Sequence, residues 1–178
     1  GQSKHHEDVS ICIDDSTFQE ITGGAAVHYT SDFPITTQVK IRRSNVTLKG
    51  NEGEAIKPSI EMIVQNNDTI EISNNAFNSN RRKGGIHIYL NEKQATVKIV
   101  NNIISGSING SEAVYVVDFG NDAACSKLLM AGNYFHHNDI VFPHDIIVIK
   151  NMAAIVKENV LYDNTARYTM DWVAVRKE

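Results

Sequence analysis

Three groups of residues in this 178-residue chain carry the side chains needed for acid–base or ionic chemistry. In the first, His28, Glu61, His87, Tyr115 and Asp171 each stand inside a short apolar run: "AAVHY", "SIEMIV", "GIHIYL", "AVYVVDF" and "TMDWVAV". Alternation along a strand sends Ile86 and Ile88 one way and His87 the other. These residues are therefore expected to share an outward face pointing to solvent. A His–Glu–His column there could move protons as general acid and base if its surroundings tuned the pKa values. The simpler reading, a solvated outer face, is preferred.

The second group is "NRRKGG" at 80–85, with Arg81, Arg82 and Lys83 in succession. A guanidinium fork suits bidentate carboxylate binding, so an acidic polysaccharide is the ligand such a loop would hold. A charged loop tip that keeps the chain soluble would look the same. The third group is "HHNDIVFPHD" at 136–145, with His136, His137, Asp139, His144 and Asp145. As neighbours in an extended segment, His136 and His137 should point apart, which speaks against a metal pair. Asp118, Asn121 and Asp122 offer oxygen atoms without a dedicated calcium spacing. Neither a metal nor a cofactor is expected.

A repeat must position these residues. With Asn102 as position zero, apolar residues stand at −5, −3 and +2: Val97, Ile99 and Ile104. The register recurs around Ser16, Ser44, Asn75, Asn133 and Asn159, at intervals of 28, 31, 27, 31 and 26 residues. Positions −5 and −3 share one strand face, whereas +2 falls on the opposite face of a straight strand. The chain must turn between them, and a polar residue at zero can satisfy backbone groups there and accept a left-handed conformation. Each copy then adds a second strand, the apolar runs named above together with "DIIVIK". A coil of this kind cannot bury its inward face alone, so the copies must stack as a parallel β-solenoid. About six coils at roughly 4.8 Å give a rod on the order of 30 Å tall, with the Asn and Ser side chains stacked as a ladder.

The "IxIxxNxF…GI" pattern, clearest at 70–88, resembles the repeat of right-handed parallel β-helices of the pectin-lyase-like superfamily, from about Val9 to Val175. That resemblance implies an asparagine ladder at the tight turn between the second and third sheets. It also assigns "GIHIYL" to the first sheet, whose outer face is the family's usual working groove. It is specific for fold alone, because members include polysaccharide lyases, hydrolases, epimerases, phage tailspikes and non-catalytic adhesins. "FNSN" with "GGI", and "FHHN", are similar to the FxxN and GGA repeats of polymorphic outer-membrane adhesins. "FPHD" at 142–145 is similar to the DPHD segment of alginate epimerases, but Phe142 replaces the leading Asp and the family's tyrosine is missing. "IDD" at 13–15 resembles the aspartates of polygalacturonases without the rest of their motifs, and it falls in the tight turn.

Composition narrows the classes further. With 21 acidic against 17 basic residues the net charge is −4, which gives no basic surface for nucleic acid. No apolar stretch approaches the length of a membrane span. Cys12 and Cys125 are read as buried or half-buried free thiols rather than a disulfide. No leader is visible in "GQSKHHEDVS", so one was removed or the chain is part of a longer one. Residues 1–178 are expected to form one domain, with 1–8 flexible or a partial N-terminal cap.

Outward positions turn apolar toward the C-terminus. At −4 the copies read Cys12, Lys40, Glu71, Lys98, Leu129 and Ile155, and at +1 Thr17, Asn45, Ala76, Ile103, Tyr134 and Val160. Ile146 or Val148 is expected to extend this patch, through which the chain would self-associate or dock. Short loops and few coils argue against a self-sufficient enzyme. The expectation is therefore a non-catalytic extracellular or surface module that binds glycan or a partner protein along its side. Arg81, Arg82, Lys83, His28, Glu61 and Tyr115 would be the binding residues. The alternative is a uronate-specific lyase or epimerase with His87 or His144 as base, aided by Asp145. A phage tail or spike segment is a third reading.

Overall fold

The computed structural model describes residues 9–31, 35–49, 57–65, 67–82, 84–91, 94–107, 112–120, 126–140, 145–166 and 173–176, with backbone alone for 80–82, 166 and 173–176. Among these residues there is no helix, and the strands stack as a parallel β-solenoid. Residues 1–8, expected to be flexible or a partial cap, lie outside the description.

The repeat produces three six-stranded parallel sheets. Sheet A holds Val9–Asp14, Thr37–Arg42, Thr69–Ser73, Thr96–Val100, Lys127–Ala131 and Ala153–Lys157. Sheet B follows each tight bend, with Thr17–Ile21, Asn45–Leu48, Ala76–Arg82, Ile103–Ser107, Tyr134–His136 and Val160–Tyr162. Sheet C holds Val27–Thr30, Ile60–Val64, Ile86–Leu90, Val114–Asp118, Ile147–Lys150 and Val173–Arg176. A small fourth sheet pairs Asp139–Ile140 with Thr165–Ala166.

Apolar positions −5, −3 and +2 point inward as the spacing requires. Val39, Ile41, Ile70, Ile72, Val97, Ile99, Leu128 and Met130 are all buried from sheet A, and Val46, Phe77, Ile104 and Phe135 from sheet B. These residues belong to four consecutive coils, each covered above and below. Among the described residues each end coil has a neighbour on one side, and Ile11 is 37% exposed while Ile13, Phe18, Ala154, Val156 and Leu161 are only half-buried. Burying a side chain of this size stabilises by about 1.5–3 kcal/mol, so the dry interior of the middle coils carries most of the apolar stabilisation.

The zero positions form the expected line. Asn75 Nδ2 donates to Asn102 Oδ1 at 3.0 Å, Asn102 Nδ2 to Asn133 Oδ1 at 3.0 Å and Asn133 Nδ2 to Asn159 Oδ1 at 2.8 Å. Backbone N–H groups join the same column: Asn75 N donates to Asn102 Oδ1 at 3.0 Å, and Ser44 N to Asn75 Oδ1 at 2.9 Å. Ser16 N reaches Ser44 Oγ at 3.2 Å, so serine continues the column with a single acceptor. The left-handed residue, however, is the one before zero. Asp15, Arg43, Asn74, Asn101, Gly132 and Glu158 have φ between 48° and 65°. Reversing the face at −1 leaves the zero side chain free to point along the axis into the next coil.

Five residues further on, a second bend repeats the device, and the sequence pattern did not reveal it. Asn138 Nδ2 donates to Asn164 Oδ1 at 2.8 Å, and Ser107 N donates to Asn138 Oδ1 at 3.1 Å. The preceding residues Gly106, His137 and Asp163 are again left-handed. "FHHN" and "LYDN", Phe135–Asn138 and Leu161–Asn164, are this bend in sequence, so FxxN spacing here reflects a structural turn.

Candidate functional site

The outer face of sheet C brings His28, Glu61, His87 and Tyr115 into one column. The register pairs His28 with Glu61, Glu61 with His87, His87 with Tyr115, Tyr115 with Val148 and Val148 with Ala174. Ala174, not Asp171, therefore occupies the last position, and Asp171 lies outside the described residues.

The column does not simply face solvent. Glu61 is 8% exposed, His87 9% and Val148 4%. Residues preceding the strands pack across it. A Cβ at Gly84, where φ is +75°, would lie 2.8 Å from His87 Nε2, and one at Gly85 would lie 2.6 Å from the Ala113 carbonyl. Gly84 thus lets the chain close over the imidazole, while Gly85 admits the backbone of the next coil. His87 Nε2 is 3.2 Å from the Glu112 carbonyl, which can only accept, so this nitrogen carries its proton.

Electrostatics divide the column into an ionic and an aromatic part. Lys57 Nζ bonds both Glu61 oxygens at 2.8 and 2.9 Å, and His28 Nδ1 lies 3.0 Å from Glu61 Oε2. Burial works to raise the Glu61 carboxyl, but the Lys57 hydrogen bonds and charge, with His28, overcome it and leave the pKa lowered. The aromatic part consists of His87, Tyr89, Tyr115 and Phe119. Tyr89 lies 5.8 Å from Tyr115 and stacks on Phe119 with centroids 6.3 Å apart and planes 7° apart. Phe119 is 58% exposed, and burial raises the Tyr89 pKa, as does the charge of Glu61. Sequence reasoning missed Tyr89 and Phe119. The signal was present, since Tyr89 follows His87 by two residues on the same strand face.

The remaining expected site residues do not join this face in the description. Arg81 and Arg82 extend the sheet B strand Ala76–Arg82 instead of forming a loop; their side chains, with Lys83 and His144, lie outside the described residues. Asp145 is 1% exposed just before Ile147–Lys150. Asp14 and Asp15 are occupied by Arg42 and Arg43, with Arg43 Nη2 at 2.6 Å from Asp14 Oδ2 and Arg43 Nε at 2.9 Å from Asp15 Oδ1. Cys12, expected to be buried or half-buried, is exposed and free because −4 faces outward, and Cys125 lies outside the description.

The apolar columns at −4 and +1 are in the expected register. Ile103, Ile155, Val160 and Tyr162 are exposed, with Leu129 and Tyr134 half-buried beside them. Ile146 and Val148 do not extend this patch. Both are buried, Ile146 before the strand and Val148 beneath the cover of sheet C. Among the described residues no three His, Cys, Asp or Glu side chains converge as a metal cage, and no helix is long and apolar enough to cross a membrane. Comparison with family models, with curated proteins and with solved structures gives no match for this chain.

Proposed function

We propose that this chain is a non-catalytic β-helix module of the pectin-lyase-like kind, acting outside the cell or at its surface and binding glycan along sheet C. The observation that carries the reading is the exposed ring of Phe119 stacked on Tyr89 beside Tyr115. The electron-rich face of such a ring attracts the C–H face of a sugar. Further along the same face, the exposed His28 and Lys57 side chains offer polar groups for hydroxyls. A binding role also accords with His87, whose Nε2 proton is given to a backbone carbonyl and which is covered by its own loop.

A panel of neutral and uronate glycans tests this directly. The expected result is binding to at least one glycan that Phe119→Ala and Tyr89→Ala each weaken at least tenfold, about 1.4 kcal/mol, with the circular dichroism unchanged. Binding equal in both variants, or no binding across the panel, would refute it. Release of unsaturated uronate from alginate, pectate or chondroitin would point to a lyase instead. The Ile103–Tyr134–Val160–Ile155 patch is read as the contact with a second copy or with the rest of a larger surface protein. Light scattering that shows a monomer at high concentration would count against a second copy.

A further inference from the structure

His136 and His137 do not point apart. His137 takes a left-handed φ of 54° at the second bend, and this turns its ring back onto its neighbour. The two Nδ1 atoms are 2.7 Å apart, with ring planes at 87° and centroids at 5.0 Å. His137 Nε2 is held at 3.0 Å by Asp163 Oδ2, one coil further along, and the rings of His136 and Tyr134 are 5.1 Å apart. A carboxylate on the far nitrogen fixes the tautomer of His137: Nε2 carries the proton and Nδ1 presents a lone pair. His136 Nδ1–H is then the donor between the rings.

We propose that His136 Nδ1 and His137 Nδ1 form a two-nitrogen site for a divalent transition metal, Cu2+ before Zn2+, with Asp163 orienting His137 and water completing the shell. Two nitrogens at about 2.0 Å from one ion stand about 2.8 Å apart at the right angle of a tetragonal Cu2+ site, and about 3.3 Å apart in a tetrahedral Zn2+ site. The present 2.7 Å is that of the N–H···N hydrogen bond between the rings, and the preference for Cu2+ follows from its stronger affinity for imidazole nitrogen. Loading requires the His136 proton to move from Nδ1 to Nε2 and each ring to turn about its Cβ–Cγ bond until both lone pairs reach the ion. No net proton is released. The site lies on sheet B and the second bend, apart from the aromatic face of sheet C, and is independent of the glycan reading.

The test is Cu2+ titration of the chain with His5→Ala and His6→Ala, which removes the other His–His pair of the sequence. Paramagnetic resonance should show one tetragonal Cu2+ per chain with imidazole nitrogen coupling. His136→Ala and His137→Asn should each weaken binding at least tenfold, and Asp163→Asn about tenfold; Asn tolerates the left-handed bend in both cases. Zn2+ should bind more weakly than Cu2+. Cu2+ affinity unchanged by His136→Ala and His137→Asn, absence of imidazole coupling, or no Cu2+ binding would overturn the proposal. A circular dichroism melt of each variant separates loss of the site from loss of the fold.

Discussion

Asn75 and Asn102 are joined twice across adjacent coils: Asn102 Oδ1 accepts both the backbone N–H and the side-chain Nδ2–H of Asn75, each at 3.0 Å. Both residues are about 2% exposed or less, so neither donor has water as a substitute. Asn102 Nδ2 in turn donates to Ile72 O at 2.9 Å and to Asn133 Oδ1 at 3.0 Å. One amide thus satisfies groups on the coils to either side of its own.

Asn102→Ala leaves those buried partners without it. An unmet buried donor or acceptor costs about 1–3 kcal/mol, so the variant should lose about 2–4 kcal/mol in urea unfolding. Asn159→Ala, at the half-buried end of the column, should lose about 1 kcal/mol, because water can replace part of what is removed. Equal losses at both positions would mean that the column is not graded by burial.

Gly132 occupies the left-handed −1 position with φ at 65°, and a Cβ there would overlap Asn101 Oδ1. That side chain is exposed and can move, so the backbone sets most of the penalty. Gly132→Ala should cost about 1 kcal/mol and Gly132→Val more, while Gly132→Asn, the residue at this position in two other coils, should be close to neutral. Thermal unfolding of the three variants gives the order.

Glu61 makes stability depend on pH in a defined direction. Its pKa is lowered in the fold, because Lys57 and His28 outweigh burial. Its contribution is therefore complete above the pKa of the unfolded glutamate, about 4.3, and is lost as pH falls through the lower folded value. The stability gap between the parent chain and Glu61→Gln should shrink on acidification across that window. A gap that widens there would reverse the sign.

Much of this architecture is legible in the residues because the inward pattern repeats. Val97, Ile99, Asn102 and Ile104 each have counterparts in register, and stacking demands that counterparts align. What is not legible depends on the connections. Asp171 yields its place to Ala174 because strand pairing aligns Ala174 with Val148, a register that the apolar run "TMDWVAV" leaves open. His87 is covered because Gly84 admits the chain over it. His136 and His137 meet because a second bend, marked only by Asn138 and Asn164, reverses one of them. Tyr89 and Phe119 come together through tertiary packing, since the two rings stand on adjacent coils.

Amide hydrogen exchange at the bends tests the stacked-coil arrangement most directly. Asn75, Asn102 and Asn133 each donate their backbone N–H to the Oδ1 of the next coil at 3.0 Å. These three bend amides should exchange as slowly as the core strand amides of Ile72 and Ile99, through global unfolding alone. Rapid exchange at Asn75, Asn102 and Asn133, at the rate of exposed turns, would contradict the ladder and the stacked solenoid it spans.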